Sequence, residues 1–165
     1  MTLEKDFIEF IELLNKHEVE YLVVGGYAMG LHGVPRTTGD IDFWIRTSES
    51  NAEKMVQVID EFGFSSLGLA NKDFSTKNAV IQLGYEPLRI DILNDIDGVE
   101  FSQAIKDKHI FQHGNIEIPF IGIRDFIKNK KAVGRKQDIE DLMGVEKKSK
   151  AAQKRGGKNR KQKPR

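Results

Sequence analysis

A short apolar segment that ends in two glycines constrains this chain more than any other feature. Residues 21–24, Tyr-Leu-Val-Val, are apolar and mostly β-branched or aromatic, which indicates a buried strand. Gly25 and Gly26 follow directly, and glycine allows both positive φ and a close approach of a ligand to the backbone. Residues 27–32 are then expected to form a short helix. A helix that begins after a glycine turn offers free N–H groups to an anion.

The next predicted strand, residues 40–45, carries two carboxylates. Because side chains alternate across a strand, Asp40 and Asp42 share one face, and Ile41, Phe43 and Ile45 lie on the other. Two bare charges on an otherwise apolar strand are costly to bury. A hard divalent cation is the usual compensation, and oxygen ligands suit Mg²⁺.

Asp91 has the same setting, because Ile90 and Ile92 flank it in the predicted strand 88–93. Three carboxylates on neighbouring strands are able to hold two metal ions roughly 3.5–4 Å apart, as in nucleotidyl transfer. Taken singly, a Gly-Gly pair is usually a turn, and an Asp-x-Asp strand is more often a solvated edge. The combination with the intervening helix and the basic, hydroxyl-rich loop 34–39 favours a site.

These motifs resemble the signature of the DNA polymerase β-like nucleotidyltransferase superfamily. Residues 25–42 are similar to its minimal bacterial branch, which includes nucleotidyltransferases of toxin–antitoxin and abortive-infection systems. Residues 130–141 are similar to that branch as well, so that the resemblance covers residues 1–145. It leaves the acceptor open, because these enzymes modify RNA, proteins and small molecules with the same core.

The resemblance implies a role for each site residue. Asp40 and Asp42 would bind both of two Mg²⁺ ions, with Mn²⁺ as an alternative, and Asp91 would bind the catalytic ion and help to deprotonate the acceptor hydroxyl. One departure is the second glycine, where family members often carry Ser, so that only backbone donors remain there. The triphosphate of the nucleotide would contact five residues: Gly25, Gly26, Arg36, Thr38 and Lys130.

The C-terminal stretch has a second interpretation. Lys130 alone reads as an ordinary solvated helix charge. Arg135, Lys136, Asp138 and Asp141 are also interpretable as a surface charge network, in which each pair contributes little to stability.

The charge of the chain is unevenly distributed. Of its 26 Lys and Arg and 25 Asp and Glu residues, ten and one respectively lie in residues 146–165, which leaves residues 1–145 with a net charge of −8. The C-terminal segment has almost no apolar side chains, so we expect it to be a disordered basic tail. Such a tail is an electrostatic arm for RNA or another polyanion, or a solubilising segment that folds back on the acidic core.

The predicted fold class is α+β, with a nucleotidyltransferase-like mixed sheet flanked by helices. Residues 1–145 form one domain and residues 146–165 its tail. Amphipathic helices are expected over 3–17 and 49–62, and two more over 122–133 and 136–144. In residues 64–77 we expect a short strand at Phe64 to Leu67 and a turn at 71–73. The 165 residues include no Cys, no secretory signal and no apolar run near the ~20 residues of a membrane span, so a soluble cytoplasmic protein is expected.

The predicted function is metal-dependent transfer of a nucleoside monophosphate from a nucleoside triphosphate, such as ATP, to an acceptor hydroxyl, in the setting of a toxin–antitoxin system. RNA is a plausible acceptor through the basic tail. One alternative is a non-catalytic, antitoxin-like partner with the same fold that binds another protein. A second alternative is a nucleic-acid binder that depends on the tail.

Overall fold

The computed structural model describes residues 1–159, and the surroundings of side chains up to residue 155. It contains one six-stranded mixed sheet flanked by helices, which confirms the predicted α+β class. A 3₁₀ turn covers Ser65–Leu67. The strands are β1 Tyr21–Val24, β2 Asp40–Ile45, β3 Val80–Tyr85, β4 Leu88–Leu93, β5 His109–His113 and β6 Ile116–Phe120. The helices are α1 Lys5–Lys16, α2 Gly25–Leu31, α3 Glu49–Phe62, α4 Asn71–Ser75, α5 Phe101–Ala104, α6 Ile123–Val133 and α7 Lys136–Asn159.

The strand order places the predicted site near the centre of the sheet. The order is β3-β4-β2-β1-β6-β5. The β2–β4 and β1–β6 pairs are parallel, and the other three pairs are antiparallel. The end of β1, where the glycines begin, therefore lies beside the start of β2, with β4 on the far side of β2. Central strands are held by hydrogen bonds on both edges, so they fix the positions of the side chains that they carry.

One face of the sheet is covered by α1 and α3. The Phe10 ring of α1 lies 5.3 Å from the ring of Phe43, which β2 directs to this face. Phe10 and Phe43 are both fully buried, and burying one such side chain contributes roughly 1.5–3 kcal/mol. Because strand side chains alternate, this packing directs Asp40 and Asp42 to the opposite face.

Residues 64–77 differ from the prediction. Residues 65–67 form a 3₁₀ turn rather than a strand, and the predicted turn at 71–73 lies in helix α4. The helix begins where the Ala70 backbone N–H donates to the Asp73 carboxylate at 2.8 Å. Asp73 therefore stabilises the start of a helix. In the sequence, the short polar stretch 71–73 has the composition of a turn, which is why the helix was not predicted.

The C-terminal helix is longer than predicted. The expected helix 136–144 is the beginning of α7, which continues to Asn159. Residues 146–159 of the predicted tail are therefore helical rather than disordered, and its last part, residues 160–165, lies outside the described residues. In the part of the chain that the structure describes, no helix is both long enough and apolar enough to cross a membrane.

Candidate active site

The parallel pairing of β2 with β4 brings the three predicted carboxylates together. Asp42 is the register partner of Asp91, and Asp40 is the partner of Arg89. Register partners on neighbouring strands direct their side chains to the same face, so all three Asp side chains share it. Asp91 is buried, whereas Asp40 and Asp42 are partly buried. The alternation of side chains along β2 thus correctly predicted that Asp40 and Asp42 lie on the same face of the sheet.

Both glycines lie close to side chains of the site, and Gly25 leaves no room for a side chain of its own. Gly25 begins α2 with φ of +66°, and a Cβ at this position would overlap Oδ2 of Asp42. At Gly26 a Cβ would lie 3.1 Å from Cγ2 of Thr38. The helix N-terminus thus approaches the aspartate site closely. Helix α2 starts at Gly25, whereas the sequence predicted a start at residue 27.

Thr38 fixes the start of β2. Its hydroxyl donates to the backbone carbonyl of Asp40 at 3.1 Å, and the Asp40 backbone N–H lies 3.3 Å from the same Oγ1. Because the Thr38 side chain also packs against Gly26, it links the glycine turn to the first aspartate. The predicted nucleotide-binding residues Gly26 and Thr38 are therefore neighbours.

Asp42 is electrostatically strained when no cation is bound. Its pKa is raised from 3.8 to about 6, first by burial and then by the negative charges of Asp91 and Asp40. The positive charges of Arg89 and Lys130 oppose this rise only in part. A carboxylate with a raised pKa gains from any bound cation, because the cation stabilises its charged form.

Arg89 is a site residue that the sequence analysis did not identify. Its Nε and Nη2 donate to the two oxygens of Asp91 at 2.7 and 2.9 Å, and Nη2 also donates to Asp40 Oδ2 at 2.9 Å. These charge-assisted bonds raise the pKa of the Arg89 guanidinium. The signal was available, because Arg89 lies two residues before Asp91 in a strand and must share its face.

Lys130 is held at the site by buried carboxylates of α7. Its Nζ lies 2.9 Å from Oδ1 of Asp138 and 3.4 Å from Oδ2 of Asp141. Asp141 Oδ2 also accepts from Arg36 Nη1 at 2.9 Å. Asp138 and Asp141 are only 1% and 5% exposed, so the interpretation of these residues as a surface charge network is wrong for the two acids.

The pKa of Asp138 shows how strongly this cluster is paired. Burial alone would raise this pKa, yet hydrogen bonds from Arg135 and Lys130 lower it to about 2. The acid is therefore charged at neutral pH, and it anchors the Lys130 ammonium. In this way α7 organises both of the cations, Lys130 and Arg36, that the resemblance assigns to the nucleotide.

Two cavities flank the glycine turn. One, of about 310 Å³, is lined by Gly25, Asp42 and Lys130 among others. The second, of about 590 Å³, is lined by Gly26, Arg36 and Thr38 and has apolar walls. The first cavity reaches the carboxylate Asp42, and the second lies on the other side of the glycine turn.

The chemistry of the carboxylates fits hard divalent cations. They offer oxygen donors only, as Mg²⁺ prefers, and Asp40 Oδ1 is buried without a hydrogen-bond partner. Within the described residues, however, no group of three or more His, Cys, Asp or Glu side chains is already arranged around a metal position. The Arg89 guanidinium lies among the carboxylates instead.

The comparisons with known proteins agree with this geometry. Over residues 3–162 the chain matches the model of a family described as nucleotidyl transferase of unknown function, DUF2204. No curated protein matches the chain significantly.

Two solved structures share the fold. One is a Thermotoga maritima protein, TM1012, classed as a nucleotidyltransferase; it is 18% identical with a TM-score of 0.51, over 94% of this chain and 91% of that chain. The other is the lincosamide antibiotic adenylyltransferase LnuA with bound lincomycin; it is 15% identical with a TM-score of 0.55, over 88% of this chain and 97% of that chain. At such identities the likeness establishes the fold alone.

Proposed function

The chain belongs to the nucleotidyl transferase family DUF2204, and from this premise we propose that it moves a nucleoside monophosphate from a nucleoside triphosphate, such as ATP, to an acceptor hydroxyl. The observation that carries the proposal is the convergence of Asp40, Asp42 and Asp91 beside the glycine turn. In this reaction the acceptor oxygen bonds to the α-phosphorus, the bond from that phosphorus to the bridging oxygen breaks, and pyrophosphate leaves.

The three carboxylates have a defined part in this proposal. Asp40, Asp42 and Asp91 would hold two Mg²⁺ or Mn²⁺ ions, which supply neutralisation of phosphate charge and a lowered pKa of the attacking hydroxyl. Asp91 lies on the strand next to the aspartate pair, and it would receive the hydroxyl proton. Each of its oxygens accepts one hydrogen bond from Arg89 and keeps a second lone pair for that proton.

The triphosphate would be held by groups on both sides of the carboxylates. The backbone of Gly25 and Gly26, at the start of α2, adjoins Asp42 and Thr38, and backbone N–H groups at a helix start would suit phosphate oxygens. Thr38 and Arg36 adjoin them on one side, and Lys130 lies on the other. Lys130 is only 12% exposed and is fixed by two carboxylates, so it presents its charge with little loss of side-chain entropy on binding. Such preorganised charge is the main source of rate in phosphoryl transfer.

The second half of α7 supports RNA as the acceptor. After Val145, the last buried residue of the helix in the described part, residues 146–155 are all exposed. A Cβ at Gly33 would lie 3.3 Å from Cδ of Lys148, so the basic segment passes beside the loop that leads to Arg36 and Thr38. Phosphodiester backbones bind such cationic surfaces by counterion release. The exposed cations are Lys147, Lys148, Lys150, Lys154 and Arg155.

We further propose that the protein acts in the cytoplasm as part of a toxin–antitoxin system with a protein partner. The resemblance of residues 25–42 and 130–141 to that branch supports this setting. Ile139 and Met143, one turn apart on α7, are more than half exposed, and such apolar neighbours suit a protein contact. A protein or small-molecule acceptor is the alternative to RNA.

A labelling experiment tests the proposed reaction. The purified full chain is incubated with each α-labelled nucleoside triphosphate, Mg²⁺ and a bacterial lysate divided into RNA, protein and small-molecule fractions. We expect label in the RNA fraction, and at least roughly 10²-fold less with Asp42→Asn, the scale for one lost preorganised contact. Label in another fraction would identify a different acceptor. Nucleotide binding without transfer into any fraction would favour a non-catalytic partner.

A further inference from the structure

Arg89 completes a square of charged side chains on two parallel strands. Asp40 and Asp42 occupy one side, on β2, and their register partners Arg89 and Asp91 occupy the other, on β4. The guanidinium donates to Asp91, two residues further along β4, and to Asp40 on the neighbouring strand β2. One cation thus joins the two carboxylates at opposite corners of the square.

The guanidinium uses oxygens that a metal ion would need. It engages both oxygens of Asp91 and Oδ2 of Asp40. A carboxylate oxygen that accepts a short bond from a guanidinium already has a positive charge beside it, so a second cation at that position is repelled. Among the described residues, no three such side chains are grouped around a metal position, which agrees with a cation that already lies between these carboxylates.

We infer that Arg89 is an internal counter-ion which excludes divalent metal from Asp40 and Asp91, so that metal binding and departure of the guanidinium are one exchange. The inference rests on the proposed function, because it takes these two acids and Asp42 as metal ligands. It gives the enzyme a resting state in which the acids are neutralised in part without metal.

Arg89 has a place to go when it leaves the carboxylates. Its side chain is 25% exposed, and Nη1 already lies 3.6 Å from Oε1 of Glu86, which is largely exposed at the turn before β4. A swing toward Glu86 keeps the guanidinium charge in water and beside a carboxylate. By contrast, Asp42 accepts no hydrogen bond from Arg89, so it is the carboxylate open to a first metal contact.

The inference predicts that removing the guanidinium tightens metal binding. The full chain at pH 7.5 is titrated with Mn²⁺ alone, without nucleotide, and bound metal is measured from the loss of the free Mn²⁺ electron paramagnetic resonance signal. We expect Arg89→Gln to bind Mn²⁺ roughly tenfold more tightly than the wild type, since the competing charge-assisted bonds are gone. Arg46→Gln makes the same change of charge beyond the other end of β2 and should leave the affinity unchanged.

A second variant keeps the test valid if Arg89→Gln does not fold without metal. Arg89→Lys retains the charge, but one ammonium does not reproduce the planar fork that spans Asp91 and Asp40. Its affinity for Mn²⁺ should lie between those of the wild type and Arg89→Gln. Equal or weaker binding in both Arg89 variants would overturn the inference, because Arg89 would then organise the metal site rather than compete for it.

Asp42→Asn, titrated in parallel, separates this inference from the proposed function. If Asp42→Asn abolishes Mn²⁺ binding and the Arg89 variants fail to tighten it, the inference about Arg89 is wrong and the metal site stands. If Asp42→Asn binds Mn²⁺ as the wild type does, the metal does not occupy this site, and both proposals fail.

Discussion

Asp42 of β2 and Asp91 of β4 lie directly opposite each other in a parallel strand pair. The backbone hydrogen bonds of two adjacent strands therefore set the spacing of these acids, which no loop movement alters. The backbone of Gly25, at the start of α2, packs closely against the same Asp42 side chain. Three neighbouring elements thus meet at one carboxylate, and variants there should be the most informative.

Gly25→Ala should disrupt the site and destabilise the protein. The added Cβ overlaps the Asp42 carboxylate, and the φ of +66° disfavours any residue with a side chain. Gly30→Ala in the same helix is the matched control, because open space surrounds that position, and Ala is the better helix former by about 1 kcal/mol. Thermal unfolding of both variants measures the difference.

A double variant tests the stated cause. Since the overlap involves the Asp42 side chain, Gly25→Ala should cost less stability in an Asp42→Ala background than in the wild type. An equal cost in the two backgrounds would show that the backbone conformation, and not the carboxylate, is responsible.

Asp42→Asn should stabilise the metal-free protein in a pH-dependent manner. The folded pKa of Asp42, about 6, exceeds its ordinary value of 3.8, so the folded state holds the proton more tightly than the unfolded state. The wild type therefore loses stability as the pH rises from about 4 through 6, by roughly 2–3 kcal/mol. Asn carries no charge and escapes this loss.

Urea unfolding in the presence of a chelator measures this effect at pH 4.5 and pH 7.5. The advantage of Asp42→Asn over the wild type should grow between the two values, and Mg²⁺ should stabilise only the wild type at the higher pH. An advantage that is the same at both pH values would mean that Asp42 is not strained.

Asp138→Asn should destabilise the protein at neutral pH. The change leaves the partly buried Lys130 ammonium with a weaker partner, which costs about 2–3 kcal/mol. Because the pKa of Asp138 is lowered to about 2, its contribution is present above about 4 and is lost as the pH falls through 2. Glu140→Gln, an exposed acid on the same helix, is the control. Chemical unfolding at pH 7 and pH 3 should show a deficit of Asp138→Asn that narrows at the lower pH.

Neutralising the basic part of α7 should weaken RNA binding in a salt-dependent way. Changing the three lysines of residues 147–150 to Gln removes up to three phosphate contacts. The negative slope of log affinity against log salt should therefore become shallower by about 2 for single-stranded RNA. The same substitution at Lys72, Lys77 and Lys106, on other exposed parts of the surface, is the control. Fluorescence anisotropy of labelled RNA and DNA strands measures the slopes, and equal slopes for the two triple variants would place the contact elsewhere.

Local patterns were sufficient to predict the centre of the fold and the placement of its carboxylates. The two-residue alternation of β2 and β4 determines which side chains share a face, and a glycine turn after an apolar strand limits where α2 can start. Both signals are contained within a few residues. The parallel pairing of β2 with β4 could not be predicted in this way, because it depends on chain crossovers that the alternation does not encode.

Tertiary packing decided the features that the sequence did not reveal. Asp138 and Asp141 resemble surface charges in sequence, and only the packing of α7 against α6 buries them. Residues 146–155 have almost no apolar side chains, which suggested disorder, yet Lys, Ala, Gln and Arg are good helix formers. Once Leu142 and Val145 are packed, adding further turns avoids the cost of a new nucleus.

Helix α7 extends over 24 residues, or about 36 Å, without a break. Its first turns hold the cations of the site through Asp138 and Asp141, and its later turns carry the exposed basic side chains. The two ends therefore belong to one continuous helix. A polyanion that moved the basic end would also move Asp138 and Asp141, which anchor Lys130 and Arg36, so docking of a large ligand would change the alignment of these charges.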